Sequence, residues 1–305
     1  MLLMFSRFSA VIATLALVAA GTACASSPQV PLEPEPRRAA LPPLPPPEIP
    51  PDDLVPITSC GNDENGFDRW IASFTEHAAK AGIARDVVTR ALAGVSYDPE
   101  VIELDRSQKH LALSFEEFSR SHVTPARVKR GKQRLAEHAE LFAKISARFG
   151  VAREIIVAIW GLETDFGGNQ GSTRSIRALA TLAYDCRRAE RFRGELSSAL
   201  RILQRGDLPL ERMVGAWAGE LGQTQFLPSS YERFGIDFDG DGRIDLVSST
   251  DDALGSTANY LAEHGWRAGE RYAEGSPNFA VLTEWNKSEL YRKTIVLFAT
   301  KLKAR

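Results

Sequence analysis

From Cys60 onward, apolar residues recur every three to four positions, the spacing that lines one face of a helix. Phe67, Trp70, Ile71 and Phe74 form the first such stripe. Thr124-Pro125 pairs an N-cap residue with proline at the first helical position, and the helical run behind it ends at Gly150. Ile155, Ile156, Ile159 and Leu162 mark the next helix, followed by Leu179, Leu182 and Ala183, and then by Leu196, Leu200 and Leu203. Pro228 opens a further helix, and Leu290, Ile295, Leu297 and Phe298 predict a closing one. Alternating patterns are scarce, with NFAVLT (278–283) the best strand candidate. The pattern therefore predicts a mainly α architecture (α+β) with at most a small β-hairpin. There is no internal repeat.

The first 59 residues follow different rules. Residues 1–25 carry one charge, Arg7, then an apolar run to about Ala20 and a set of small residues. That is the layout of an export signal, too short for a convincing membrane span. Two processing routes are open: cleavage after Ala25, or lipidation of Cys24 as a new N-terminus. Residues 26–59 form a linker in which twelve of the 17 prolines fall between Pro28 and Pro56, a composition that excludes helix and sheet interior. Residues 60–305 make up the folded domain.

Charge and cysteine usage narrow the function. A net charge of −2 over 305 residues carries no basic footprint, so nucleic acid is not an expected partner. Three cysteines are odd for an oxidising compartment. If Cys24 leaves with the signal or carries lipid, Cys60 and Cys186 remain, either as a disulfide or as two buried thiols; export favours the bridge. The five histidines (His77, His110, His122, His138, His264) lack zinc-ligand spacing, and there is no P-loop, dinucleotide fingerprint or nucleophile elbow.

Two segments could carry chemistry. In IWGLETDFGG (159–168), Glu163 sits among Ile159, Trp160, Leu162 and Phe166 near a helix end. Apolar surroundings disfavour a carboxylate and raise its pKa, which suits a general acid, although most glutamates at helix ends are solvated or ion-paired. In GAWAGELGQTQFLPSSY (215–231), glycines allow close backbone approach while Gln223 and Gln225 offer amides to sugar hydroxyls or acetamido groups.

Taken in order, ET-x-FG and G-x-WAGE-x-GQ-x-QF-x-PSS resemble the lytic transglycosylases of the membrane-bound lytic murein transglycosylase B family. CRRAERFRGEL (186–196), GSTANYLAEHGW (255–266) and WNKSELY (285–291) extend the resemblance over most of residues 60–305. It implies a lysozyme-like catalytic domain with additional helices, acting on peptidoglycan glycan strands in the periplasm. It also implies that Glu163 is the sole acid/base, cleaving between N-acetylmuramic acid and N-acetylglucosamine to leave a 1,6-anhydromuramoyl end. By the same resemblance Gln225, Gln223, Tyr260, Asn286 and Tyr291 contact the sugars, while Arg187 and Arg188 meet stem-peptide or lactyl carboxylates. Salt bridging is the plainer role for that arginine pair. Asp165 is expected to cap rather than catalyse. Two departures stand out: Trp285 where the family has Tyr, and Ala216 where it often has Ser, so a hydroxyl beside Glu163 is missing.

The family chemistry requires no cofactor. DFDGDGRIDLVS (237–248) nevertheless follows an EF-hand loop, with Asp237, Asp239, Asp241, the Arg243 position and Asp245 as ligands, until Ser248 replaces the closing acid. Asp251 or Asp252 is the available substitute, and the loop is expected to hold Ca2+, Na+ or nothing. The chain is expected to act as a monomer, with recruitment into cell-wall enzyme complexes open.

Overall fold

The computed structural model describes residues 56–107 and 113–304. The export signal, Cys24 and nearly all of the proline-rich linker lie outside these residues. The described part contains thirteen α-helices and one two-stranded antiparallel pairing.

The N-terminal helices are α1 (Phe67–Lys80), α2 (Arg85–Leu92), α3 (Pro99–Arg106) and α4 (Phe115–His122). Phe67, Trp70 and Phe74 of α1 are buried, as the stripe predicts; Phe67 meets Tyr97 and Tyr184 edge-on, and Trp70 packs on Tyr184 and Phe74. Asp98 caps α3, and Ser114 with Glu117 forms a capping box on α4. The Thr124-Pro125 start holds as well: Thr124 Oγ1 accepts from the Arg127 amide. The run to Gly150 divides at His138 into α5 (Pro125–Glu137) and α6 (Ala139–Phe149). Gly150, in the left-handed region at φ 66°, ends it.

The centre of the molecule is α7 (Arg153–Thr164), buried at every position from Ile155 to Gly161. A helix apolar all round is a core helix, and α5, α6 and later helices wrap it. The strands β1 (Thr173–Arg174) and β2 (Val214–Gly215) bracket α8 (Ser175–Tyr184) and α9 (Ala189–Arg205). The last four helices are α10 (Pro228–Phe234), α11 (Thr250–Glu263), α12 (Pro277–Trp285) and α13 (Glu289–Lys303). α13 lies along α7 and also packs on α4 and α5.

One expectation is corrected. NFAVLT is not a strand but the body of α12. Ser276 caps the Phe279 amide and Pro277 occupies the first turn, so the helix-start signal overrides the β-branched composition. The burial of Phe279, Val281, Leu282 and Trp285 then follows helical spacing.

Cys60 and Cys186 are joined in a disulfide that closes a separation of 126 residues, and Gly61 pairs beside it with Asp185. Closing so long a loop restricts the unfolded chain and contributes on the order of 5 kcal/mol in the chain-entropy model. It also fixes the segment that begins α9, including Arg187 and Arg188.

Candidate active site

Glu163 lies in the last turn of α7. It keeps partial solvent access on one side and is packed in by protein on the others. Ile159, Trp160 and Phe166 are buried around it, so the water that would stabilise a carboxylate is largely displaced. Two side chains from the C-terminal helices reach it. Trp285 Nε1, at the end of α12, donates to Glu163 Oε1 at 3.1 Å, and the Tyr291 hydroxyl, from α13, donates to the same oxygen at 2.8 Å. Burial raises the Glu163 pKa most, the bonds from Tyr291 and Trp285 lower it, and it comes to rest at about 7. Burial, together with the charge and hydrogen bond of Glu163, pushes the Tyr291 hydroxyl well above its ordinary value, so it remains a donor.

This arrangement distinguishes the two carboxyl oxygens. An indole N–H can only donate, and Tyr291 donates too, so Oε1 is held as an acceptor. The titrating proton therefore belongs on Oε2, which takes no donor among the described residues. A carboxylic acid of this kind can deliver a proton from Oε2 and, once charged, is stabilised through Oε1 by two donors already in place.

One other carboxyl acts electrostatically on Glu163. Glu220 is 2% exposed, and its Oε2 is buried without a hydrogen-bond partner. Burial raises its pKa, while bonds from its own amide and that of Ala218 lower it. Buried to this degree, Glu220 is not placed to approach a sugar carbon. Asp165 faces elsewhere and pairs with Arg127 and Arg130.

The wall opposite α7 is the 215–226 segment, a tight double turn in which Gly215 bridges to Leu221 and Leu221 to Phe226. A Cβ on Gly215 would lie 1.9 Å from the Glu220 carbonyl oxygen, so glycine is required there. Thr164 Oγ1 donates to the Gln223 carbonyl at 2.5 Å and ties this wall to the end of α7. Gln225, at φ 55°, is buried and gives its amide N–H groups to the carbonyls of Gln170 and Gly222. Gln223 is buried against Thr250.

The remaining site residues separate into two groups. Tyr260 lies over Phe226 and Trp285 with its hydroxyl on the Glu284 carbonyl, and burial pushes it up to about 12. It thus joins Trp285, Tyr291 and Glu163 in one cluster. Asn286 is buried and uses its carbonyl oxygen on the Ser288 amide within its own turn. Arg187 and Arg188 both bind Asp105, Arg187 at 2.5 Å. Asp105 is 1% exposed, and a buried carboxylate demands such partners, so in this structure the arginine pair serves the salt bridge rather than an open carboxylate site. Trp285 is the residue that sequence reasoning missed. Its one signal was the departure from tyrosine in the WNKSELY stretch.

In the aspartate-rich loop the carboxylates that converge are Asp237, Asp239 and Asp252, with ligand atoms within 4.8 Å of one another. This differs from the EF-hand reading. Asp241 accepts from the Arg243 amide, and Asp245 from those of Val247 and Ser248, so these two carboxylates turn back into the loop. Asp252, from the first turn of α11, collects the amides of Phe238, Asp239 and Asp245 and stands where the closing acid is missing. Among the described residues no lysine or arginine pairs with the three carboxylates, which fits an oxygen-ligated cation.

Comparison with known proteins follows the same geometry. The chain is 40% identical over 158 residues to membrane-bound lytic murein transglycosylase B of Escherichia coli K12, a stretch covering 51% of this chain and 43% of that protein. It thus spans under half the length of that relative. Its fold is similar to SltB3 from Pseudomonas aeruginosa, solved with NAG-anhNAM-pentapeptide, at a TM-score of 0.74 and 34% identity over 78% of this chain and 80% of that one. It is also similar to the E. coli lytic transglycosylase Slt35 in complex with calcium, at 0.69 and 26% identity over 81% and 96%. The family model described as transglycosylase SLT domain matches residues 66–276, which include Glu163 and the 215–226 wall and end before Trp285 and Tyr291, and the chain belongs to that family.

Proposed function

We propose that the protein is a peptidoglycan lytic transglycosylase in which Glu163 acts first as acid and then as base. The observation that carries this is the Glu163 carboxyl, with one oxygen engaged by two donors and the other taking none among the described residues. Glu163 Oε2 gives its proton to the glycosidic oxygen linking N-acetylmuramic acid to the next N-acetylglucosamine, and the C1–O bond breaks. The substrate's own 2-acetamido group supports C1 in place of a second carboxylate, which agrees with the inaccessibility of Glu220. Oε2 then takes the proton of the muramoyl C6 hydroxyl as that oxygen bonds to C1. The enzyme returns to its protonated form, no water is consumed, and the products are an anhydromuramoyl end and a free 4-hydroxyl.

Tyr260, Trp285 and Tyr291 supply the aromatic side of the sugar site, and Gln223 and Gln225 shape its floor from buried positions. The enzyme works on glycan strands in the periplasm, held at a membrane through Cys24 or released by cleavage after Ala25. We further propose that Asp237, Asp239 and Asp252 hold a calcium ion, whose role is to join the loop to α11; the similar E. coli transglycosylase Slt35 is solved with calcium.

Digestion of purified sacculi followed by mass spectrometry tests the reaction. The expected products carry 1,6-anhydromuramic ends, Glu163→Gln releases at least ~100-fold less, and reducing muramic ends would identify a hydrolase instead. The pH dependence follows from the sign of the shift. The acid form dominates below about 7, so the rate falls as pH rises through that value. Trp285→Phe removes a donor that lowers the pKa, so the alkaline limb moves to higher pH while the maximal rate drops. Calcium addition after chelation raises the melting temperature of the wild type, and Asp252→Asn abolishes that rise; an unchanged melting curve would argue against the ion.

A further inference from the structure

Among the described residues, three non-glycine positions have a positive φ: Asp165 (54°), Phe166 (65°) and Gln225 (55°). Two of them, Asp165 and Phe166, follow Glu163 just after Thr164, and Gln225 lies in the 215–226 wall. Left-handed backbone is unfavourable for L-residues, and its concentration at one place points to a conformation held for a purpose. The question is what holds it, and what it holds in turn.

Asp165 caps α7, and its carboxylate receives Arg130 on both oxygens at 2.7 and 2.9 Å and Arg127 Nε at 3.1 Å. Arg127 is itself anchored, through its other arm, on the His122 carbonyl at 2.7 Å. Burial works against the Asp165 carboxylate, yet the two guanidinium groups hold its pKa below the ordinary value. The next residue completes the junction. The Phe166 ring fills a socket between α5, α7 and α13: a Cβ on Gly161 would meet it at 2.8 Å and one on Gly131 at 3.4 Å, and Phe298 packs against it. Because α13 also carries Tyr291, the spacing between the end of α7 and the donor to Glu163 passes through this junction.

From this we infer that Asp165, gripped by Arg127 and Arg130, is a positioning residue that keeps Glu163 Oε1 on Trp285 and Tyr291. The inference rests on the reading of Glu163 as the acid. It assigns a task to an ion pair that contributes little to overall stability: the side chains of Arg130 and Asp165 are 44% and 38% exposed, where solvent screens the charges. Its value is geometric. Without the grip α5 no longer tethers the end of α7, the last turn of α7 shifts, and the two donors no longer meet one oxygen. Arg127 also acts on the Tyr291 hydroxyl through its charge, in keeping with its place beside both groups.

The test separates position from stability. Glycine is at ease at φ 54°, so Asp165→Gly removes the grip while relieving the backbone. On soluble uncrosslinked glycan strands this variant is expected to melt within a few degrees of wild type and to lose about tenfold or more in kcat at unchanged KM. Its alkaline limb moves to higher pH, because Glu163 loses the bonds that lower its pKa. Asp165→Asn tolerates the left-handed region and keeps an acceptor oxygen, so it retains an intermediate kcat; should the glycine variant fold poorly, the asparagine variant decides. Wild-type kcat and pH profile in a folded Asp165→Gly protein would overturn the positioning role. Wild-type enzyme that releases no anhydromuramoyl ends would instead overturn the reading of the site itself.

Discussion

The structure depends on one constraint: a carboxyl group must sit far enough from water to keep its proton near neutral pH, yet be able to lose it. Burial alone would meet the first half and defeat the second, because an uncompensated buried carboxylate is strongly disfavoured. Trp285 and Tyr291 meet the second half. Their bonds to one oxygen lower the pKa that burial has raised, and the balance falls at about 7. Both donors come from the far end of the chain, so the balance exists only in the folded protein.

Much of the fold serves that balance. α7 is buried on all sides, which lets it carry Glu163 into the interior while its last turn remains at the cleft. α13 lies along it and delivers Tyr291; α12 ends at Trp285. The 215–226 wall is joined to α7 through Thr164, and its glutamine amides donate to Gln170, Gly222 and Thr250. Motif residues that look like free ligands for sugar thus double as the frame of the site. Arg187 and Arg188 are the extreme case, with both charges committed to buried Asp105.

The helical architecture was legible because some helices carry an apolar stripe, as from Phe67 to Phe74, and others a start signal, as at Thr124-Pro125 and Pro228. Ser276-Pro277 is a start signal of the same kind and opens α12, against the strand that its aromatic and β-branched residues suggest. Glu163 in its apolar run was a weak candidate on composition and became a strong one through the ordered motifs. Trp285 was not legible as a partner of Glu163, because a contact spanning 122 residues leaves no local trace. The loss of a hydroxyl at Ala216 looked like a gap beside Glu163, and two donors nevertheless reach its Oε1 from α12 and α13. The aspartate loop shows a similar limit: spacing identified the loop, but whether Asp245 or Asp252 turns inward depends on how α11 begins.

The central claim is the protonation state of one side chain, and a direct titration reads it. The carboxyl carbon of Glu163, followed by 13C NMR in selectively labelled protein and assigned with Glu163→Gln, is predicted to titrate near pH 7. A midpoint near the ordinary glutamate value of 4.5 would mean that the group is ionised at neutral pH, and would contradict its role as the acid.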